Sequence, residues 1–134
     1  MESATINIAT GSQPVAIDIT ADIIAFASGR GDGLLQVFCP HATAGIALME
    51  TGAGSDDDLL ATLDRLLPPD FDYRHRHGSA GHGADHVLPA IISPSVTIPV
   101  LAGEPQLGTW QSVVLVDPNG DNPDRTVRLS FLTG

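Results

Sequence analysis

The chain has 134 residues, enough for one domain and too few for two, with 43% apolar and 16% charged side chains. Six cations face sixteen carboxylates for a formal charge of −10, a field that repels phosphate polymers and anionic lipid surfaces, so neither nucleic acid nor membrane is an expected partner. All six cations are arginines, and without lysine no protein Schiff base can form, which removes that branch of covalent catalysis.

The mean hydropathy of +0.14 comes from short apolar runs, none near the ~20 residues of a membrane-spanning helix. The start Met1-Glu2-Ser3-Ala4-Thr5-Ile6 lacks the cationic end and apolar stretch of a secretory leader. A soluble, cytoplasmic protein is expected.

Alternation over residues 4–8 and 15–19, around Gly11-Ser12-Gln13-Pro14, predicts two half-buried strands joined as a hairpin. Thr20 is placed to cap a helix over 21–28, with Ile23, Ile24 and Ala27 on one face and Gly29 at its end. Segments 34–39 and 44–50 read as strands separated by Pro40-His41-Ala42-Thr43, which sets His41 at a strand end. Cys39, the single cysteine, cannot form an intrachain disulfide and reads as a buried thiol.

Ser55, three residues ahead of Asp58, resembles a capping box. Leu59, Leu60, Leu63, Leu66 and Leu67 at helical spacing predict a helix that stops before Pro68-Pro69. Asp56, Asp57 and Asp58 suit the positive end of its dipole better than they suit a metal. A polar loop over 70–83 precedes a helix near 84–92 with Pro89 in or near its first turn. Strands follow at 95–100, 109–116 and 125–131, the last two read as antiparallel neighbours across the turn-rich residues 117–124. Strands gathered at both ends with helices between them predict a single α+β domain, residues 1–134, built on a mostly antiparallel sheet.

His75, His77, His82 and His86 crowd into twelve residues. The first two share a face if the segment is extended, and the last two share a face if it is helical. Three neutral imidazoles with an open fourth position are the common arrangement of a catalytic zinc-class ion, and His41 is available as a further donor. Spacing alone leaves a hydrated, titratable loop as the alternative. Arg74 and Arg76 beside these rings offer planar forks for phosphate or carboxylate, or else surface ion pairs. Glu50, ending an apolar strand, reads as a proton carrier, a partner orienting an imidazole, or a solvated charge. Trp110 and Gln111 are set to line a pocket, with a core anchor as the other reading of the tryptophan.

Taken together, His41-Ala42-Thr43-Ala44-Gly45, Glu50, Tyr73-Arg74-His75, His86 and Leu107-Gly108-Thr109-Trp110-Gln111 resemble, in order and interval, the YjbQ-like family over nearly the whole chain. The resemblance implies the YjbQ-like fold, a homotrimer, a polar site near the subunit boundaries and a secondary activity in forming thiamine phosphate. Carried over by position, it implies His41, His75 and His86 as metal ligands and Glu50 as the acid–base group. It implies Thr43, Trp110 and Gln111 around a small phosphorylated ligand, with Arg74 or Arg125 on the phosphate oxygens. The expected cofactor is a divalent ion, zinc or magnesium. His77 and His82 match variable positions and are set down as loop residues, with an additional or alternative ligand role left open for either. The chain departs from the pattern at Met49, where asparagine usually precedes the glutamate, and at Ala42 and Asp85, where threonine and alanine are usual. Two other classes use the same residues: metal-assisted hydrolysis of a phosphoester or amide with Glu50 moving the proton, and non-catalytic binding of a metal or small anion.

Overall fold

Side chains that alternate between core and solvent build most of the strands in the computed structural model, which describes residues 1–134. β1 (Glu2–Ala9) and β3 (Gly33–Phe38) cover every second residue. With β8 (Asp124–Thr133), β5 (Ser95–Leu101) and the short β6 (Glu104–Pro105) they form a five-stranded antiparallel sheet of order β1-β8-β3-β5-β6. A second, three-stranded antiparallel sheet has the order β2 (Val15–Asp18), β7 (Ser112–Asp117), β4 (Gly45–Met49).

β7 is apolar without alternation because both of its faces are covered. Val113 and Leu115 face the larger sheet in a core shared with Leu35, Ile98, Leu129 and Phe131. Val114 and Val116 face the other way, against Leu63 of α2 (Ser55–Leu66) and Leu88. Each such buried side chain contributes about 1.5–3 kcal/mol. The layers are therefore sheet, sheet and helix, and α1 (Thr20–Ala27) adds Ile23 and Ala27 to the first core. α3 (His82–Val87) tightens into a 3-10 turn over Leu88–Ala90, where Pro89 supplies no backbone N–H. No helix is long and apolar enough to cross a membrane.

The elements predicted from the sequence are present within a few residues, but the two expected pairings are not. β1 pairs with β8, from Glu2 opposite Phe131 to Ala9 opposite Asp124, while β2 pairs with β7. The segments over 4–8 and 15–19 are therefore not a hairpin. Nor are β7 and β8 neighbours, since one lies in each sheet. In both cases the turn residues carry the chain from one layer to the other, and the backbone N–H groups of Thr10 and Gly11 donate to the Pro123 carbonyl where two such crossings meet.

Two helix starts also differ from expectation. Ile19 and Gly54 occupy the cap positions of α1 and α2, without side-chain caps. The Thr20 hydroxyl donates to Asp18 and accepts from the Val113 N–H, tying α1 to β7. Cys39 is buried in the main core, and burial pushes its thiol up to about 11.

Candidate metal centre

Gly83 near the start of α3 decides how closely the preceding loop can approach. A Cβ there would lie 2.6 Å from Tyr73 Cβ and 2.9 Å from the His75 carbonyl oxygen. Its missing side chain lets the Tyr73–His75 segment cross directly over the helix. His82 and His86, four apart on α3, share the face that this segment covers. The ring centroid of His75 is 4.3 Å from that of His86 and 5.3 Å from that of His82, and the two helical rings are 4.5 Å apart. One nitrogen from each of the three lies within 4.8 Å of the other two. His77 packs on His75 at 4.0 Å from outside that group.

The supports beneath these rings come from the connection after β7. Asp121 Oδ2 accepts from His82 Nδ1 at 3.0 Å. This turns the other nitrogen of His82 inward, to 2.9 Å from His86 Nε2. Asn119 is buried, accepts from the Asp121 N–H at 3.0 Å and donates to Asp85 Oδ2 at 2.8 Å. Its own N–H donates to Asp117 Oδ1. Asp117 in turn is gripped bidentately by Arg125, at 2.7 and 2.9 Å, in a pair that is almost fully buried. An unbroken series of hydrogen bonds thus runs from a buried ion pair to the histidine cluster.

The electrostatics of His75 and His86 favour the neutral ring. Lost hydration and then the neighbouring imidazoles hold His75 and His86 below the ordinary histidine value. Hydrogen bonds from Ser79 and His82 hold the Asp121 carboxyl low. Neutral imidazoles with a carboxylate behind one of them are the donor set that zinc-class ions take. Ligands about 2.0–2.1 Å from one tetrahedral ion sit roughly 3.4 Å apart, so nitrogens already within 4.8 Å of one another need only modest ring shifts to share it. The residues present therefore fit such an ion.

Of the ligands carried over from the resemblance, His75 and His86 come together here and His41 does not join them. His41 Nε2 accepts the Thr126 N–H at 3.0 Å, with the Thr126 hydroxyl at 3.1 Å, so the ring's proton resides on Nδ1. His82 takes the third place in the cluster, which corrects its reading as a loop residue: it is the first residue of α3. Its spacing of four from His86 was the signal.

Thr43 and Arg125, expected on a phosphorylated ligand, are both buried and bonded to each other, with an Arg125 amine donating to the Thr43 hydroxyl at 2.9 Å. Arg74 is exposed, next in the chain to His75, and Arg76 pairs with Asp72 at 2.9 Å. Glu50, Trp110 and Gln111 are exposed. Trp110, at 73% exposure, is no core anchor. These three adjoin Ser112, which is opposite Met49 at one end of β7, while Asp117 and the histidine supports are at the other end. At about 3.4 Å per residue the two ends are roughly 17 Å apart.

Two hollows lie in this part of the molecule, and only the smaller is lined by histidines. The smaller, of about 230 Å³, is lined by His75, His77 and His82 together with Tyr73 and Arg76. The larger, of about 510 Å³, lies between α2, α3 and the connection after β7.

The family model described as "UPF0047 protein YjbQ-like" matches residues 4–134. UPF0047 protein Rv2556c of Mycobacterium tuberculosis is 58% identical over 134 residues, all of both chains. UPF0047 protein YugU of Bacillus subtilis is 32% identical over 121 residues, 87% of this chain and 89% of that protein. Among solved structures, hypothetical protein APE1520 from Aeropyrum pernix K1 superposes with a TM-score of 0.92 at 30% identity, with 100% of each chain covered. The YjbQ/UPF0047 family protein of Clostridium acetobutylicum superposes with a TM-score of 0.87 at 30% identity, covering 96% of this chain and 99% of that one. With its full length matched both in sequence and in fold, the chain belongs to the YjbQ-like UPF0047 family.

Proposed function

We propose that the protein binds one divalent ion of the zinc class through His75, His82 and His86 and acts with it on a small phosphorylated molecule, with formation of thiamine phosphate as a secondary activity. The observation that carries this reading is the convergence of three imidazoles, one of them oriented by Asp121. The ion supplies Lewis acidity and neutralises phosphate charge that the protein's own −10 would oppose. Asp121 holds the His82 ring, and Arg74 and Arg76 offer forks to phosphate oxygens at the rim of the cleft. In thiamine phosphate formation the thiazole nitrogen donates its lone pair to the pyrimidine methylene carbon while the carbon–oxygen bond to pyrophosphate breaks. The electron pair leaves with pyrophosphate, so no lysine or covalent protein intermediate is needed.

The reading extends to a homotrimer, because Glu50, Trp110 and Gln111 lie too far along β7 to reach the rings of their own chain. A neighbouring copy would present them instead, and the exposure of Trp110 supports this. Metal-assisted hydrolysis is the second reading; a neighbour's Glu50 would move the proton there too.

The deciding measurement is metal content of tag-free protein beside a His82→Ala variant. The expected result is one ion per chain in the wild type and loss of most of it in the variant. A wild type that takes up no zinc, or a variant that keeps it, overturns the site. Offering the two thiamine precursors and, separately, a panel of phosphoesters then divides the synthase from the hydrolase.

A further inference from the structure

A fourth imidazole stands beside the three assigned above, and the separations among all four rings bracket the value for one shared ion. Imidazoles bound at about 2.0–2.1 Å to a tetrahedral ion put their ring centres roughly 5.2 Å apart. The His77 centroid is 4.0 Å from that of His75, 5.1 Å from that of His82 and 6.2 Å from that of His86. The remaining three separations run from 4.3 to 5.3 Å. Gly78 permits the approach from this side. A Cβ there would lie 2.5 Å from His82 Cγ, so its absence lets the backbone after His77 rest on the His82 ring.

The four rings are not held alike. His82 and His86 are on α3, and His75 is seated where the chain crosses Gly83. His77 is exposed beyond that crossing, and no backbone hydrogen bond ties residues 74–78. Gly78 follows it at φ +86°, a backbone state that glycine adopts without strain. Such a segment rearranges at little cost. His77 also makes the longest of the six separations, and it lines the 230 Å³ cleft along with His75 and His82.

We infer that His77 is an exchangeable fourth donor, which closes the ion's shell at rest and withdraws when a phosphate-like group of a guest takes its place. This rests on the metal reading above and adds to it a control exerted by the guest. In the exchange the imidazole keeps its lone pair and a phosphate oxygen donates one in its stead. One equilibrium then sets two quantities. The ring strengthens ion binding and weakens anion binding by the same factor, because the anion binds only the fraction in which the ring has withdrawn. With the ring bound about nine-tenths of the time, that factor is about ten.

The test uses the full chain, freed of metal with a chelator and titrated with cobalt(II), whose visible absorption reports the number and kind of its donors. Wild type, His77→Ala and His82→Ala are compared, and inorganic phosphate is then added to each cobalt-treated protein. His77→Ala, at an exposed position, should leave the fold intact. It should bind one cobalt per chain about tenfold more weakly, with an altered spectrum, and bind phosphate about tenfold more tightly. Phosphate should carry the wild-type spectrum to that of phosphate-loaded His77→Ala. Identical spectra and cobalt affinities in wild type and His77→Ala overturn the inference. So does a His77→Ala protein that no longer binds cobalt, since a ligand the site cannot lose is not exchangeable. Weaker cobalt without tighter phosphate overturns it too, as does phosphate that moves neither spectrum. All four of these outcomes leave the three-histidine site standing. A wild type that takes up no cobalt, or a His82→Ala variant that keeps it, sinks the metal reading itself and this inference with it.

Discussion

β7 has two ends, and the polar side chains gathered at each are held in opposite ways. Beyond Asp117, His82 is fixed by Asp121, Asp121 by Asn119, Asn119 by Asp117, and Asp117 by a buried arginine. Before Ser112, Glu50 and Trp110 stand in solvent, and the Gln111 side chain accepts only from the nearby Gly108 N–H. A group whose rotamer is fixed by its neighbours has already met the entropy cost of ordering, so it binds an ion or ligand with less penalty. The histidine end is thus preorganised within one chain, while the other end becomes ordered only against something else. Candidate residues of one proposed site, read together from the sequence, fall into two regions with different requirements.

The largest effect should come from cutting the support where it is most buried. Arg125→Ala leaves the Asp117 carboxylate, fully buried, without its bidentate partner. Breaking such a pair from one side costs about 3–5 kcal/mol, and urea unfolding of the metal-free protein measures it. The Thr43 hydroxyl loses its donor in the same variant. Glu50→Gln at the opposite end should stay within about 0.5 kcal/mol of wild type in the same experiment. Equal losses at the two ends would dissolve the distinction between them.

The sequence showed a good part of this arrangement, and the parts it hid have physical causes. Strand positions were readable because β1 and β3 alternate and β7 is solidly apolar. Pairings were not, because the chain changes sheets at turns such as 118–123 that have the same residues a hairpin would use. His75 and His86 were legible as a cluster, but whether the 75–77 segment meets α3 depends on the close approach at Gly83, which spacing does not reveal. Asn119 and Asp121 sat in a stretch that reads as turn chemistry alone, so their role behind His82 was invisible. The separation of Glu50 from the rings follows from the β4–β7 register, and no motif carries that information.

A smaller effect should follow from removing a support while sparing every ligand. Asp121→Ala leaves His75, His82 and His86 in place but frees the His82 ring. Loss of such a carboxylate lowers metal affinity about 10–100-fold, which zinc titration against a competing chelator reads. Because Asp121 is exposed, the fold should be nearly unaffected. An unchanged affinity would mean that the ring is oriented without the series of hydrogen bonds beneath it, and the contrast between the two ends would lose its cause.

The smallest effect concerns His41, on the supported side yet outside the cluster. Burial and then the Arg125 charge hold its ring below the ordinary value of 6.5. Its Nε2 is occupied in accepting the Thr126 N–H. As pH falls through that ordinary value the unfolded chain takes up a proton that the folded ring resists. Stability should therefore be full above it and decline toward the lower folded value. His41→Gln keeps an acceptor for Thr126 and removes the titration, so its stability should fall less steeply between about pH 7 and pH 5. His75 and His86, displaced in the same direction, keep that slope from vanishing. Urea midpoints of metal-free protein across that range decide the matter. Identical slopes would show that His41 takes its proton as freely when folded as when unfolded, and that the ordered side of the molecule ends short of it.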